Sequence, residues 1–491
     1  MQNWIVPGAP LENGQGWRIW FSRQDGNVAQ PVVERVERVS DGQNETFDCS
    51  WAPQKVPTLQ RSFGVMELTL KVPRPGEVYR IHLPEARDNS AQPVREGWIE
   101  MSSLPAQLPP EGLSFLFASC FWRDDDQTGG GYSGVVQDLV KKEKPAFKLL
   151  IGDQVYQDWP SAWPGDRSAL DLYNTRYEVY WGARGYQDVL RSTPNYFLCD
   201  DHEFWNDYPE RQFHLERTYS EEGRRTFGKA ALDLYRAYQQ CANPGGAAWH
   251  SFTISPVSFF VADTRSERTR VNADAGPHFF SIAQWNALEK WFHGLKGPGV
   301  LVVGQPVFQE DGDFKDHSLS NFTEDYERLR RLIVQSHAGG NAEGKPHQIL
   351  ILTGDIHCGR ISRGKVAGAP ESTAEMWEFV TSPISRISPY FSTPKPEKPR
   401  PRVAGPATDH QPIDVDLIDE RPALRPGTRP TIHNNIGLVR MVPIGDGSVR
   451  FDLSLRCIRP YNHVHWWEVG VDKNSFPRSY SELLRKEIVL R

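Results

Sequence analysis

Several features of secreted, membrane-spanning and nucleic-acid-binding proteins are scarce in this sequence, and each absence excludes a class of protein. The chain has only 6 cysteines in 491 residues, and no two of them show CxxC spacing, so a disulfide scaffold is not expected. No apolar run approaches the roughly 20 residues that a membrane-spanning helix requires. A net charge of −6 argues against a general nucleic-acid binder.

The first residues also lack the pattern of a secretion signal. Residues 1–16 contain no basic segment followed by an apolar segment. We therefore expect a cytoplasmic protein, and a processed secreted form stays open as an alternative. A hydrophobic content of 38% and a charged content of 24% are typical of an ordinary globular chain.

The chain divides into two regions of different pattern. Residues 1–108 are rich in aromatic and β-branched segments separated by proline and glycine, which predicts a small β-sandwich domain. The Pro-rich residues 104–112 predict a boundary. Residues 113–491 form the second predicted domain, in which apolar strand-like runs alternate with helical periods, as in an α/β fold. Within it, the Pro-rich and charged residues 385–430 predict a long surface insertion.

Helical periods and turn residues locate the elements of the second region. The sequence predicts a hairpin around residues 445–447, where Gly-Asp-Gly separates two β-favouring runs. Ser281 followed by Gln284 predicts the start of a helix. Predicted helices cover residues 133–142, 168–190, 220–240, 323–335 and, at the end of the chain, 479–491.

Most of the predicted strands of the second region end in residues that can bind a metal or transfer a proton. In an open α/β sheet, ligands bind beyond the carboxyl ends of the strands, so these side chains are expected to converge. The side chains that follow the strands are Cys120, Asp153, Tyr156, Asp201, His202, Gln305, Asp355 and His357.

A metal centre is the simplest explanation for such a set of side chains. Carboxylates that converge in a partly dry cleft repel one another unless a cation neutralises them. Thiolate, phenolate and imidazole ligands suit a transition metal, and an anionic set suits ferric iron. The remaining side chains of the set offer mainly carboxylate oxygens, which suit Ca²⁺, Mg²⁺ or Mn²⁺. Two cations that share a carboxylate would clamp a phosphoryl group and activate a water.

Five short motifs mark this region: ASC at 118–120, GDQVY at 152–156, DDHE at 200–203, DTR at 263–265 and GDIH at 354–357. Together they resemble the PhoD-like (alkaline phosphatase D) branch of the calcineurin-like metallophosphoesterases. They occur in the order of the family, each after a predicted strand. The resemblance implies an α/β fold, a metallophosphoesterase-type α/β sandwich, preceded by a small β-sandwich domain.

The resemblance also implies roles for individual residues. Asp153 is implied to bridge two metals, and His202 to protonate the leaving oxygen. Arg265 is implied to be catalytic and to bind substrate, with Arg123 as a second substrate contact. An ion pair between Arg265 and Asp263 is the alternative for Arg265. The implied metals are Fe³⁺ with Ca²⁺, and Mn²⁺, Mg²⁺ and Zn²⁺ are alternatives. The implied metal ligands are Cys120, Asp153, Tyr156, Asp201, Asp355 and His357.

The expected function is metal-dependent hydrolysis of phosphomonoesters or phosphodiesters by attack of a metal-bound hydroxide. The expected partner is a small phosphate ester, with no nucleic-acid-binding domain and no membrane span, and the oligomeric state stays open. An alternative is a binding or scaffold protein with a vestigial site, although nearly every expected ligand is present. A hydrolase with a Ser or Cys nucleophile is a third possibility, but the sequence lacks a GxSxG elbow.

Overall fold

The structure is a computed structural model that describes most of the chain. The described residues are 3–24, 29–54, 56, 61–88, 95–123, 130–158, 167–273, 276–310, 319–340, 344–357, 359–366, 369–385, 401–402, 413–417, 434–459 and 482–491.

The N-terminal region forms two antiparallel sheets of four strands each. Their orders are β1-β2-β6-β5 and β4-β3-β7-β8. Ile19 and Met66 of the first sheet share one buried apolar cluster with Tyr79 and Ile81 of the second. The strands agree with the β-rich pattern, whereas the domain boundary near residue 108 stays a prediction. The strands are β1 (Trp4–Pro10), β2 (Gly16–Arg23), β3 (Arg35–Arg38), β4 (Asn44–Glu45), β5 (Phe47–Gln54), β6 (Ser62–Leu70), β7 (Val78–His82) and β8 (Trp98–Ser102).

From residue 113 onwards, short buried strands alternate with helices. The predicted helix at 168–190 is two helices, because Gly182 ends the first and Ala183 has an extended backbone. The three strands of this part, β9 to β11, are parallel neighbours. The elements are β9 (Leu113–Ala118), α1 (Gly130–Glu143), β10 (Lys148–Ile151), α2 (Ala169–Trp181), α3 (Arg184–Arg191), β11 (Asn195–Leu198) and α4 (Glu221–Tyr238).

The next part of the chain builds a seven-stranded sheet of order β12-β13-β14-β16-β18-β17-β20. Four consecutive strands of this sheet, β13, β14, β16 and β18, are parallel. The Ser281 hydroxyl accepts a hydrogen bond from the Gln284 N–H and begins α5. The elements are β12 (His250–Ile254), β13 (Val257–Ala262), α5 (Ile282–His293), β14 (Gly299–Val303), β15 (Gln309–Glu310), α6 (Thr323–Ala338), β16 (Ile349–Thr353), β17 (Arg360–Val366), β18 (Glu375–Val380), β19 (Pro401–Arg402) and β20 (Ile413–Leu417).

The last strands complete a six-stranded sheet of order β11-β10-β9-β21-β22-β23. These strands are β21 (Asn434–Gly445), β22 (Ser448–Arg459) and β23 (Glu482–Leu490), and β21 and β22 form the predicted hairpin. The prediction of a terminal helix is wrong, because residues 482–490 pair with β22 as an antiparallel strand. Most of the predicted insertion 385–430 lies outside the described residues, apart from 385, β19 and β20.

The two large sheets pack face to face, with helices on both outer surfaces. Phe115 and Phe117 of β9 share the central core with Phe259 and Phe379 of the other sheet. The alternate residue of β9, Leu116, faces the core that includes residues of α1 to α4. On the far side, β14 and β16 pack against α5 and α6. The predicted α/β sandwich is therefore confirmed, with three adjacent parallel strands in the six-stranded sheet and four in the seven-stranded sheet.

The segment between the two regions is bonded to the second sheet. Leu104 and Leu108 are buried in the central core. The Leu108 N–H donates to the Ser255 carbonyl at 2.9 Å, and the Ser255 N–H donates to the Ala106 carbonyl at 3.0 Å. Among the helices within the described residues, none is both long enough and apolar enough to cross a membrane.

Candidate metal centre

The carboxyl ends of the inner strands of both sheets meet at one place. Cys120 and Asp153 follow β9 and β10 of the first sheet, whereas Asp355 follows β16 of the second. The Cys120 Sγ lies 3.3 Å from Asp153 Oδ2 and 3.6 Å from the Asp355 carbonyl oxygen. The structure therefore brings side chains of two separate sheets into contact.

The first group of possible metal ligands combines sulfur, oxygen and nitrogen. One ligand atom each from Cys120, Asp153 and His357 lies within 4.8 Å of the other two. The Tyr156 hydroxyl lies 3.5 Å from Asp153 Oδ2 and 3.3 Å from His357 Nε2. Tyr156 is also buried, so all four side chains predicted from the first motifs and the last motif lie together.

Two further groups extend this cluster through carboxylates. Asp153 also groups with Asp201 and His202, and Asp201 groups in turn with Asp200 and Asp355, each within the same 4.8 Å spacing. Asp153 and Asp201 therefore link three overlapping groups into one chain of ligands. Asp200 belongs to the cluster although the sequence analysis assigned no role to it.

The backbone at these positions has an unusual conformation. Cys120, Asp153, Asp355 and His357 have φ values of 61°, 56°, 66° and 49°. Side chains other than glycine rarely adopt this left-handed region, and each such residue stores on the order of 1–3 kcal/mol of strain. Such strain concentrates at functional sites, so it supports a functional role for the four residues.

Two glycines allow Asp200 to reach the cluster. A Cβ atom on Gly152, whose φ is +92°, would lie 2.4 Å from the Asp200 Cβ. A Cβ atom on Gly304 would lie 3.0 Å from the Asp200 carboxyl carbon. Glycine at both strand ends is therefore what lets the Asp200 carboxylate pack between them.

The electrostatics of the cluster favour a bound cation. Burial raises the pKa of Asp153 and of the Cys120 thiol well above their usual values, and neighbouring carboxylates raise them further. Asp200 Oδ2 and Asp201 Oδ1 are buried oxygens without a hydrogen-bond partner. A buried carboxylate oxygen without a partner is costly. A metal ion would satisfy both oxygens, so the residues present fit a metal centre.

His202 depends on a carboxylate that the sequence analysis missed. Its Nδ1 lies 2.8 Å from Asp158 Oδ1, and both side chains are buried. Burial lowers the pKa of His202, but the charges of Asp158, Asp201 and Asp153 outweigh burial and raise it to about 10. A buried imidazolium needs a carboxylate partner, but the sequence does not show which carboxylate it is. Asp158 could therefore not be predicted.

Glu203 organises the backbone around the cluster. Its carboxylate accepts hydrogen bonds from the N–H groups of Asp153, Gln154 and Asp200 at 2.7–2.9 Å. These bonds join the ends of β10 and β11. In the sequence Glu203 stands out only as the last residue of the DDHE motif, because bonds to a distant backbone leave no pattern along the chain.

The two predicted substrate arginines have different positions. Arg265 is fully buried, its Nε donates to Asp200 Oδ1, and its Nη1 donates to the Tyr208 carbonyl at 3.1 Å. Two of its three guanidinium nitrogens therefore bond to the protein, whereas Nη2 is buried without a hydrogen-bond partner. Arg123 is only half-buried and lies three residues after Cys120.

This fold, with a chain of acidic, thiol and imidazole side chains at the carboxyl ends of two packed sheets, is that of a metallophosphoesterase-type α/β sandwich. The sequence model of the PhoD-like phosphatase family matches residues 115–295, so this part of the chain is similar to that family. The match supports a phosphatase, a hydrolase of phosphoric esters, and leaves the class of ester open. The resemblance inferred from the motifs is thus confirmed.

One solved structure supports the same fold. The chain is similar to the structure of PhoD with a TM-score of 0.56 and 16% identity, over 93% of this chain and 87% of that one. At this identity the likeness shows the fold alone. GAP50, the anchor in the inner membrane complex of Plasmodium, is similar at 11% identity over 71% of this chain and 85% of that one, and its TM-score of 0.34 supports no argument. No curated protein matches the sequence.

Proposed function

We propose that this chain is a metal-dependent phosphoesterase that hydrolyses phosphomonoesters or phosphodiesters. The observation that carries the proposal is the chain of three overlapping ligand groups at the strand ends of both sheets. The match to the PhoD-like phosphatase family supports the same reaction class. The cytoplasmic location expected from the sequence stays a prediction.

The residues present divide into two sets of metal ligands. Cys120, Tyr156 and His357 offer sulfur, phenol and imidazole ligands that suit a transition metal such as iron. Asp201 and Asp355 offer carboxylate oxygens that suit a hard cation such as calcium or manganese. Asp153 belongs to two of the ligand groups and is the proposed bridge. Such cations supply Lewis acidity towards phosphoryl oxygens and lower the pKa of a coordinated water.

His202 is the proposed proton donor to the leaving oxygen of the ester. Asp158 holds Nδ1 of the ring, so Nε2 is the atom left to transfer a proton. The charge of Asp158 raises the pKa of the imidazole above its usual value, which favours the protonated form. A donor in this state stabilises the alkoxide or phenoxide that forms as the P–O bond breaks.

Arg265 is proposed as a positioning residue instead of a substrate contact. Its side chain binds Asp200, and its Nη2 lies 3.8 Å from Asp201 Oδ2. The cationic guanidinium thereby orients two carboxylates of the cluster and partly neutralises them. Arg123 stays the proposed substrate contact, since it is half-buried near Cys120 and a guanidinium suits phosphate oxygens.

The test combines metal analysis with turnover. Protein purified without metal-affinity steps is analysed by inductively coupled plasma mass spectrometry and assayed with p-nitrophenyl phosphate and bis-p-nitrophenyl phosphate. We expect iron together with a hard divalent cation, and loss of activity on chelation. Asp153→Ala should abolish turnover, because it removes the proposed bridge. Exposed Asp138 on α1 provides the matched control, Asp138→Ala, which should retain activity.

The alternative function, a binding or scaffold protein with a vestigial site, gives the opposite result. Metal-free protein that stays inactive after iron and calcium are added back would favour it. Activity that survives both chelation and Asp153→Ala would exclude the proposed metal-dependent reaction.

A further inference from the structure

Two buried polar side chains, Gln305 and Arg268, form a chain of hydrogen bonds that ends at Asp355. Gln305 follows β14, and its Nε2 donates to Asp355 Oδ2 at 3.0 Å. Arg268 Nη2 donates to Gln305 Oε1 at 2.6 Å. Arg268 and Gln305 are 5% and 2% exposed, so water competes little for these bonds.

Arg268 determines which end of the Gln305 amide faces Asp355. The guanidinium has only donors, so it can bind the amide oxygen but not the amide nitrogen. The amide nitrogen must then face Asp355, where a carboxylate accepts its hydrogen. If the amide were rotated by 180°, a donor would face Arg268 and an acceptor would face the Asp355 carboxylate, which is unfavourable at both ends.

Arg268 is itself held in place. Its Nε donates to the Thr264 carbonyl at 2.9 Å, and its guanidinium carbon lies 4.8 Å from the centre of the Phe322 ring. Burial and the nearby Arg265 lower the pKa of Arg268 to about 9, so the guanidinium is still charged at neutral pH. A fixed cation thus polarises the Gln305 amide and strengthens its bond to Asp355.

We propose that Arg268 and Gln305 form a positioning relay. The relay fixes the Asp355 carboxylate for binding a divalent cation, and it turns the Gln305 amide oxygen away from that cation. A hydrogen bond to one carboxylate oxygen restricts rotation of the group, which lowers the entropy lost when Asp355 binds a cation. The relay also explains how a glutamine can lie at the cluster without serving as a ligand. This inference rests on the proposed metal centre.

The test measures cation affinity directly, so it does not depend on turnover. Chelator-treated wild type, Gln305→Leu, Arg268→Leu and Arg268→Lys are titrated with Ca²⁺, and in a second series with Mn²⁺, by calorimetry. Residues that orient metal ligands typically contribute ~10- to 100-fold to metal affinity, and we expect a loss in this range for Gln305→Leu and Arg268→Leu. Arg268→Lys should recover part of the loss, because an ammonium still donates to the amide oxygen.

A matched control separates positioning from general destabilisation. Arg38 is 5% exposed and bonds Asp41 and Glu45 in the N-terminal sheets, far along the chain from the cluster. Arg38→Leu should leave both cation affinities unchanged, and unfolding midpoints are recorded for every variant. Arg268→Lys and Gln305→Leu keep the test decisive if Arg268→Leu fails to fold.

The outcomes for the relay and for the proposed function are distinguishable. If Gln305→Leu binds both cations within about twofold of wild type, below the range typical of positioning residues, the relay is wrong even in an active enzyme. If wild type binds the cations but hydrolyses neither ester, the proposed function fails while the affinities still decide the relay. A wild type that binds neither cation contradicts both.

Discussion

His202 and Asp158 show at the scale of single residues how a buried pair sets the charge of a candidate acid. Burial alone would raise the pKa of Asp158, but the charge of His202 and its hydrogen bond outweigh burial and lower it. The charges of Asp158, Asp201 and Asp153 together outweigh burial and raise the pKa of His202 to about 10. A second carboxylate oxygen of Asp158 accepts the Asn206 N–H at 3.0 Å, so its orientation is fixed at both oxygens.

Asp158→Asn is therefore expected to reduce kcat on p-nitrophenyl esters by ~100-fold or more, the scale of a general-acid contribution. Removing the carboxylate lowers the pKa of His202, so the protonated form is lost at lower pH. The rate should then begin to fall at lower pH than in wild type. A pH–rate profile of both proteins from about pH 6 to 10 measures the pH at which the rate begins to fall, which reports the pKa of the general acid.

The control for this prediction is the conservative change Asp138→Asn at an exposed position of α1. It should leave both kcat and the pH profile unchanged. An Asp158→Asn enzyme with a wild-type pH–rate profile would contradict the proposal that Asp158 raises the pKa of His202.

At the scale of elements, β23 shows how tertiary pairing overrides a local preference. Glu, Leu, Arg and Lys favour helices, and the sequence analysis predicts a helix over residues 479–491. In the structure, β22 provides an edge to which β23 bonds. Leu483, Leu484 and Ile488 are buried in the central core, whereas Val489 is 45% exposed. The alternation of Ile488 and Val489 is that of a strand with one face buried.

Ile488→Asp is expected to lower the free energy of unfolding by about 3 kcal/mol or more, since it removes a buried aliphatic side chain and buries a carboxylate. Urea unfolding followed by circular dichroism measures the change. Val489→Asp, one residue further on, should change stability by less than ~0.5 kcal/mol because its side chain faces solvent.

The comparison also tests the strand itself. Equal effects of Asp at positions 488 and 489 would contradict a strand with one buried face. Val489 pairs with Arg450 across the ladder. An Asp at position 489 would therefore lie opposite a positive charge and would meet no repulsion from it.

At the scale of the whole molecule, buried neutral histidines make stability depend on pH. The His337 ring bridges three elements, because Nδ1 donates to the Thr373 carbonyl at 2.6 Å and Nε2 accepts the Ile349 N–H at 3.0 Å. Protonation would remove the acceptor at Nε2. Burial lowers the pKa of His337 to about 4, and the bond to Thr373 offsets only part of this effect.

The sign of the pH effect follows from the two states. An unfolded histidine titrates near a pKa of about 6.5, so between about pH 6.5 and 4 the unfolded chain binds a proton that the folded chain does not. The free energy of unfolding therefore falls as the pH falls, by up to about 1.4 kcal/mol per pH unit for this group. His337→Gln should reduce that slope, because an amide does not titrate.

Urea unfolding of wild type and His337→Gln at a series of pH values measures the difference in slope. Exposed His293 provides the control, and His293→Gln should retain more of the wild-type slope. Other groups titrate in the same interval, so the difference between variants is the decisive quantity. Parallel slopes for wild type and His337→Gln would contradict the assignment of His337 as a neutral bridge.

Much of the candidate centre was predictable because its residues follow apolar runs. A buried parallel strand is recognisable from sequence, and the residue after it must lie at the carboxyl edge of its sheet. That reasoning located Cys120, Asp153, Asp201 and Asp355. It could not find Asp158 or Arg268, because their partners are distant in the chain or lie on other elements. The family resemblance implied that Arg265 binds substrate, whereas in the structure its Nε donates to Asp200.

The sequence by itself determined the class of fold and the set of residues available for chemistry, because hydrophobic periodicity and strand ends are local properties of the chain. Only the tertiary structure decided that the ligands come from two separate sheets, that residues 482–490 form a strand, and which carboxylate orients His202. Each of these depends on packing between segments far apart in the chain. Such contacts are set by the shape and burial of the whole core, which no short stretch of sequence specifies.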